Sequence, residues 1–440
     1  MNVVPHNVSR SLRISPSPRP LSCSVSLPGS KSYTNRALIV AAIAGGRSTL
    51  LNPSPSDDSI AMRDALRHLG VAIEEHPSHW IVTRSSDQFT PFQGSIDIGP
   101  AGTTMRFLAT LIATIPGAVV ELKGSERMHM RPIAPLVDAL RSCGAEVEYL
   151  GKEGCPPIRI RGRELAARER VKIDGSVSSQ FITSLLLSSP RIKNLFLEVI
   201  GTPVSQSYIR MALDTMNSFS GAVLGDNSMT WFDARSISYA PTRYLVELDA
   251  SGASYFWGLA AVSRGSVTVT GVNHTSVQGD MVFPSLLEEM GCRIIKGEAE
   301  ITVQGPETLR AITASMELCP DTAQTLAVVA ACVSSGGVSN IRGLKTLRIK
   351  ETDRLAALHD ELARCNISSE FDDDSITIKG GSPIHATIKT YEDHRMALAF
   401  SLFGARSQGI TIEEPHVITK SFPDYWERIK QMGLMVSEVV

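Results

Sequence analysis

The chain has 440 residues, 43% of them hydrophobic and 20% charged, a globular balance with length enough for two or three cores. Lys plus Arg (43) nearly cancels Asp plus Glu (45), so no global field draws in nucleic acid or an anionic membrane, and a strongly charged ligand requires local clusters of cations. The seven scattered cysteines form no CxxC pair and read as the reduced thiols of a cytoplasmic protein, and no apolar run approaches the roughly 18 residues of a membrane span.

Met1 to Ser22 carries Arg10, Arg13 and Arg19 among serines and prolines, a faint likeness to a targeting segment. Ser11-Leu12-Arg13-Ile14-Ser15 alternates as a strand does, which leaves about ten residues of tail, fewer than the roughly 15 to 30 that such a segment takes. Next, Leu27-Pro-Gly-Ser-Lys31-Ser32-Tyr-Thr-Asn-Arg36 runs into the apolar Ala37 to Ala44. A Pro-Gly turn leads into a helix whose first turn holds hydroxyls and a lysine, with an arginine one turn on. Free N–H groups and the positive end of the helix dipole mark an anion site, to which Lys31 and Arg36 add full charges. Taken alone, the stretch is equally a Ser-capped helix with a solvated lysine.

Further on, one helix tail recurs: Asp64-Ala-Leu-Arg-His-Leu-Gly70, Asp138-Ala-Leu-Arg-Ser-Cys-Gly144, Asp214-Thr-Met-Asn-Ser-Phe-Ser-Gly221, Ser285-Leu-Leu-Glu-Glu-Met-Gly291, Asp360-Glu-Leu-Ala-Arg-Cys-Asn366 and Glu427-Arg-Ile-Lys-Gln-Met-Gly433. The interval, roughly seventy residues, signals tandem supersecondary units. Each tail ends in Gly or Asn, as a left-handed C-cap requires. Two short strands follow in the first five copies, for example Val71-Ala-Ile-Glu and Trp80-Ile-Val-Thr.

Upstream of each tail lies another helix with cap chemistry at its start: Gly29-Ser-Lys-Ser, Gly99-Pro-Ala-Gly-Thr-Thr, Gly175-Ser-Val-Ser-Ser-Gln, Asp249-Ala-Ser-Gly-Ala-Ser, Pro320-Asp-Thr-Ala-Gln and Glu392-Asp-His-Arg. The helices behind these starts, such as Phe107-Leu-Ala-Thr-Leu-Ile, are too apolar for a surface and should be buried among sheets. The repeat is therefore strand, helix, strand, helix, strand, strand, an α/β unit with buried helices. The sixth copy lacks its last strand, and Ser11 to Ser15 is the candidate to supply it, since an unpaired apolar edge invites aggregation. Residues 1–29 then join 248–440 as a discontinuous domain of three units, and 30–247 form an inserted domain of three, with crossings near Leu27 to Lys31 and Glu247 to Ser251.

The helix starts differ in their functional groups: Lys31, Ser32 and Arg36; Gly102 and Thr103 with Arg106; Ser178, Ser179 and Gln180; Asp321; His394 with Arg395. Loops add Arg127 and Arg131, the run Arg348 to Arg354, Lys420 and Arg243. Convergence of these cations would fit a ligand with several negative charges, bracketed by helix starts of both domains.

In combination, Pro28-Gly-Ser-Lys-Ser32, Ala101-Gly-Thr-Thr-Met-Arg106, Arg127-Met-His-Met-Arg-Pro132, Asp174-Gly-Ser-Val-Ser-Ser-Gln180, Lys350-Glu-Thr-Asp-Arg354 and Glu392-Asp-His-Arg-Met-Ala397 resemble the 5-enolpyruvylshikimate-3-phosphate (EPSP) synthases, and the resemblance spans essentially the whole chain. It implies a two-domain enolpyruvyl transferase-like fold of six βαβαββ units, three per domain, with the active site in the cleft between them. It also implies transfer of the enolpyruvyl group of phosphoenolpyruvate (PEP) to the 5-hydroxyl of shikimate 3-phosphate. Each substrate carries a phosphate and a carboxylate, which accounts for the basic, hydroxyl-rich helix starts. By resemblance Lys31, Gly102, Arg127, Gln180, Arg354, Arg395 and Lys420 would meet PEP. Lys31, Ser32, Arg36, Thr103, Ser178, Ser179, Gln180, Ser205, Tyr208, Asp321, Thr346 and Lys350 would meet shikimate 3-phosphate. Asp321 would be the base and Glu351 the proton donor, with Lys31 on the developing charge and His394 a further catalytic candidate beside the commoner structural role of such a histidine. The same likeness implies a monomer acting on small molecules, without nucleic acid or membrane. No metal and no cofactor are expected, since neither a Cys/His cluster nor a dinucleotide fingerprint occurs.

Three departures from the family pattern, Pro100, Phe107 and Thr346, touch the PEP pocket and the phosphate contact, and with them the response to the inhibitor glyphosate. The sister enzyme acting on UDP-N-acetylglucosamine typically has Lys-Asn where this chain has Lys31-Ser32, and a cysteine in the loop that here reads Ser125 to Arg131. A non-catalytic phosphoanion-binding relative would need the cations but neither Asp321 nor Glu351. RNA-end processing fits poorly with a neutral charge balance and no nucleotide-binding loop.

Overall fold

Helices too apolar to meet water on any side need a core on every side, and the computed structural model gives them one. It describes residues 11–86, 88–406 and 408–439; the tail expected before Ser11 lies outside the described residues. The chain forms two compact units, one of residues 28–249 and 276–279, the other of residues 11–27, 250–275 and 280–439. At the centre of the first run the helices Lys31–Ala44, Gly102–Ala113 and Ser179–Leu187, and at the centre of the second Ala250–Ser263, Ala323–Ala331 and His394–Phe400, almost every residue of them buried.

Six four-stranded sheets of one design appear among the described residues, each with its first two strands parallel and the rest antiparallel. Gln93–Asp97, Val119–Lys123, Ile158–Arg161 and Glu146–Tyr149 lie in that spatial order, so the last two strands of the repeat form a hairpin whose second strand is inside the sheet. Ser11–Ser15 does complete the sixth sheet, antiparallel to both Ile410–Ile412 and Met435–Val439. Alternation sets its register: Ile14 points inward and is fully buried, while its neighbours are half-buried.

The insertion is closed by a strand exchange. Ser22–Ser26, next to the first helix in sequence, pairs with Ser266–Thr270. Its place beside Gly46–Leu51 is taken by Arg243–Leu245, so Arg243, read above as a loop cation, lies on a strand. Where the chain enters and leaves the insertion, Gly29 pairs with Leu248 and the Ser30 amide donates to Glu247 O over 2.7 Å. A Cβ on Gly29 would stand 1.9 Å from Asn52 O, so only glycine fits this approach.

Left-handed caps fall where the tails end, at Gly70, Gly144, Gly291, Asn366 and Gly433. The third copy differs: Ser220, with φ 70°, takes the left-handed conformation in place of Gly221, because that tail is one residue longer. Capping is also rarer at the buried helix starts than their composition suggests. Ser178 and Asp393 accept from the amides of Gln180 and Arg395, whereas Ser30 makes no cap bond, and Asp321 sits in a 3₁₀ turn before the helix begins. Just ahead of Asp393 the chain makes a tight turn in which the Asp393 amide donates to Thr390 O over 2.8 Å while Tyr391 and Glu392 both have φ 54°. This is the signature of a type I′ turn, normally Asn-Gly, and each non-glycine residue costs roughly 1–2 kcal/mol there.

Candidate active site

In the unit of residues 28–249, the starts of the three buried helices come together at one end. Lys31 heads its helix with Nζ 3.0 Å from Asp58 Oδ2, a carboxylate only 3% exposed in the first turn of Asp57–His68. Thr104 donates to Asp58 O over 3.1 Å, which ties the second helix to the same point. Gln180 Nε2 donates to Thr103 Oγ1 over 3.2 Å, joining the Ser178-Ser179-Gln180 start to the Gly102-Thr103 start. Deeper in, Ser184 locks the same two helices by donating to Arg106 O over 2.6 Å.

Arg36 is a supporting group in this arrangement. It donates to Ser32 O at 2.7 Å and Tyr208 O at 2.9 Å and lies over the Phe107 and Tyr208 rings at 5.5 and 5.8 Å. Burial lowers its pKa to about 10, so it still carries its charge at neutral pH. Phe107, one of the departures noted above, thus packs against Arg36. Ser205, with φ 50°, opens the helix that carries Tyr208, whose carbonyl accepts from the Arg36 side chain that also reaches Ser32 O.

Arg131 was read above as a loop cation, with the PEP contact given to Arg127 of the same loop. An ideal Cβ on Gly102 would lie 2.5–2.9 Å from the Arg131 guanidinium, so the bare Gly102 backbone lets Arg131 pack against the helix start. Arg127 begins the short 3₁₀ turn Met128–Met130. Arg106 fixes this loop by donating to Pro132 O over 2.7 Å. With PEP expected at this helix start from the resemblance, Gly102→Ala should displace Arg131 and raise the PEP KM about tenfold or more, by roughly the 1.5–3 kcal/mol of a charged hydrogen bond, with a smaller effect on shikimate 3-phosphate. Steady-state kinetics with each substrate varied checks it.

The other unit holds an ionic network. Arg354, 1% exposed, donates through Nε and Nη2 to the two oxygens of Asp393 (2.7 and 3.2 Å), through Nη2 to Glu351 Oε2 (2.8 Å) and through Nη1 to Asp321 Oδ1 (3.5 Å). Arg395 donates to Asp321 Oδ2 at 2.6 Å and to Tyr255 Oη at 3.2 Å, and Lys420 to Glu351 Oε1 at 2.6 Å. Three carboxylates balance three cations, all but Glu351 from helix starts or 3₁₀ turns. Burial works against the Arg354 cation, but Asp393, Glu351 and Asp321 outweigh it and hold its pKa above the ordinary arginine value.

Asp321 is thus bound to two arginines, and Thr322 holds the N-cap position of the following helix. Lys350 and Thr346, the latter within the 3₁₀ turn Lys345–Ile349, lead up to Glu351. Arg348 from the same cationic run belongs elsewhere, paired with Asp353 at 2.7 Å and Asp373 at 2.9 Å. His394 is buried, with Nδ1 3.7 Å from Asp393 Oδ1. The sequence reading missed Asp58 and Asp393 as partners of site cations; both stand in helix-start motifs where an acid has an ordinary reading as a dipole partner or cap.

Solved structures share this architecture. EPSP synthase from Acinetobacter baumannii aligns with a TM-score of 0.81 at 23% identity, over 98% of this chain and 100% of its own. The enolpyruvyl transferase NikO from Streptomyces tendae aligns with a TM-score of 0.77 at 16% identity, over 98% and 99%. The fold is that of the enolpyruvyl transferases. A family model described as EPSP synthase (3-phosphoshikimate 1-carboxyvinyltransferase) matches residues 16–429. The 3-phosphoshikimate 1-carboxyvinyltransferase of Aliivibrio salmonicida is 40% identical over 93% of this chain and 96% of its own length, and that of Vibrio cholerae is 40% identical over 94% and 97%. The chain belongs to the EPSP synthase family, which transfers the enolpyruvyl group of PEP to shikimate 3-phosphate in aromatic amino acid biosynthesis. No helix among the described residues is long and apolar enough to cross a membrane.

Proposed function

We propose that the two clusters of helix starts serve one substrate pair, with Asp321 and Glu351 as the acid–base couple of the transfer. The observation that carries this reading is a shared guanidinium: Arg354 touches both carboxylates, and each holds a second cation of its own, Arg395 for Asp321 and Lys420 for Glu351. A protein that only bound anions would need the cations alone. Asp321 takes the proton of the 5-hydroxyl as its oxygen bonds to C2 of PEP, while Glu351 protonates the methylene carbon to give the tetrahedral intermediate. On elimination that methyl returns a proton to Glu351, the bond from C2 to the phosphate oxygen breaks with its electron pair leaving on phosphate, which takes the proton held by Asp321, and the alkene re-forms.

PEP is held by Lys31, Arg127, Arg131, Gln180, Arg354, Arg395 and Lys420, with the Gly102 backbone close by. Shikimate 3-phosphate is held by Ser32, Thr103, Ser178, Ser179, Ser205, Tyr208, Thr346 and Lys350, with Arg36 fixing Ser32 and Tyr208 from behind. The substrate anions take over the cations that Asp321 and Glu351 hold in the free chain, which releases both carboxylates for proton transfer. Lys31, steadied by Asp58, offsets charge on the departing phosphate. His394, buried beside Asp393, orients that acid. The seven cysteines are free, as a cytoplasmic setting favours.

The test is phosphate release from PEP with shikimate 3-phosphate, with each alone, and with UDP-N-acetylglucosamine substituted. Release with the shikimate pair alone is expected, and abolition by both Lys31→Met and Lys420→Met, one from each unit. Release with the nucleotide sugar, or activity surviving either change, contradicts the reading.

A further inference from the structure

Tyr391 and Glu392, both at φ 54°, form the strained turn that delivers Asp393, His394 and Arg395 to the ionic network. Nothing in their own chemistry favours that backbone, so something outside the turn must impose it. Behind it stands Glu361, a fully buried carboxylate on the helix Arg354–Arg364. Its Oε1 accepts from the Tyr391 hydroxyl at 2.6 Å and from Arg364 Nε at 3.1 Å, and its Oε2 accepts from the Lys389 amide at 3.1 Å. Two turns earlier on the same helix face, Arg354 grips both oxygens of Asp393. One rigid helix therefore clamps the loop on either side of the turn. Burial, and next the Glu361 carboxylate, push the Tyr391 hydroxyl pKa above its ordinary value, which keeps it a donor.

We infer that Glu361 and Tyr391 are positioning residues for enolpyruvyl transfer: their bond holds the 390–393 turn left-handed and so carries Arg395 onto Asp321. The inference rests on the assignment of Asp321, Arg354 and Arg395 to the site. Were the turn to relax to negative φ, the peptide before Asp393 would rotate, and the start of His394–Phe400 would move with it. Neither residue touches the reacting atoms. Their effect passes through the placement of Arg395, where an error of about 1 Å is worth up to 10²-fold in rate.

The experiment compares Tyr391→Phe, Tyr391→Phe with Glu392→Gly, and Arg395→Lys in steady-state kinetics, shikimate 3-phosphate binding and thermal unfolding. Tyr391→Phe keeps the ring and leaves Glu361 its other two partners. It is expected to lower kcat/KM for PEP about tenfold while shikimate 3-phosphate affinity stays near that of the parent. Glu392→Gly removes the strain of positive φ and should restore most of the loss, a rescue that a merely stabilising bond would not give. Parent-like kinetics of Tyr391→Phe, or no recovery in the double variant, overturns the inference. Impaired Arg395→Lys beside normal Tyr391→Phe sinks the inference alone; normal Arg395→Lys sinks the site assignment and the inference with it. Should Tyr391→Phe not fold, Tyr391→Asn with Glu392→Gly, the pair such turns prefer, takes its place: near-parent turnover is expected, and its loss overturns the inference.

Discussion

Asp321→Asn should reduce kcat by about 10²- to 10⁴-fold, the range of a positioned general base. The amide keeps the size of the carboxylate and can still accept from Arg395, so the surrounding cations stay in place. Shikimate 3-phosphate should then bind nearly as well as before, and the loss should appear in kcat and kcat/KM alike, as for an interaction made only in the transition state. Equilibrium binding together with single-turnover rates separates the two. A large loss of affinity with turnover intact would make Asp321 a binding group and return the search for a base to Glu351.

The second large effect is on folding. Arg354→Met leaves Asp393, fully buried, without the cation that grips both its oxygens. Removing one partner of a buried pair typically costs about 3–5 kcal/mol. In a unit of this size that lowers Tm on the order of 10 °C. Denaturant midpoints of parent and variant at neutral pH check it, and a midpoint equal to that of the parent refutes the account. Activity should be lost as well, since Glu351 and Asp321 lose their shared partner.

Local pattern carried the architecture because each repeat announces itself over a few residues: a capped tail, a hairpin, a helix with no polar face. Even the completion of the last sheet by Ser11–Ser15 followed from counting strands. What escaped was the distant pairing that closes the first sheet of the insertion. Arg243–Leu245 is only three residues long and meets Gly46–Leu51 almost two hundred residues away, so its composition says nothing of a strand. The site shows the same division. Lys31, Arg354 and Arg395 stand in motifs and were legible as cations, but the groups that aim them were not. Asp58 and Asp393 look like ordinary helix-start acids, and the packing of Arg131 on the helix start appears only when its guanidinium is seen against the bare Cα of Gly102. Ser220 marks a smaller limit: one extra residue moved the left-handed position off the glycine.

The route of the chain also orders events during synthesis. The insertion, residues 28–249, has its ends paired and its first sheet closed by Arg243–Leu245, so a nascent chain holds nearly everything that unit requires once its residues have left the ribosome. Leu12, by contrast, lies opposite Ile412 and Glu438 in the middle of a sheet. At roughly 5–20 residues per second the ribosome delivers those partners on the order of 20–80 s later. For that interval Ser11–Ser15 has both edges open, and in its later part residues 28–249 have already been made.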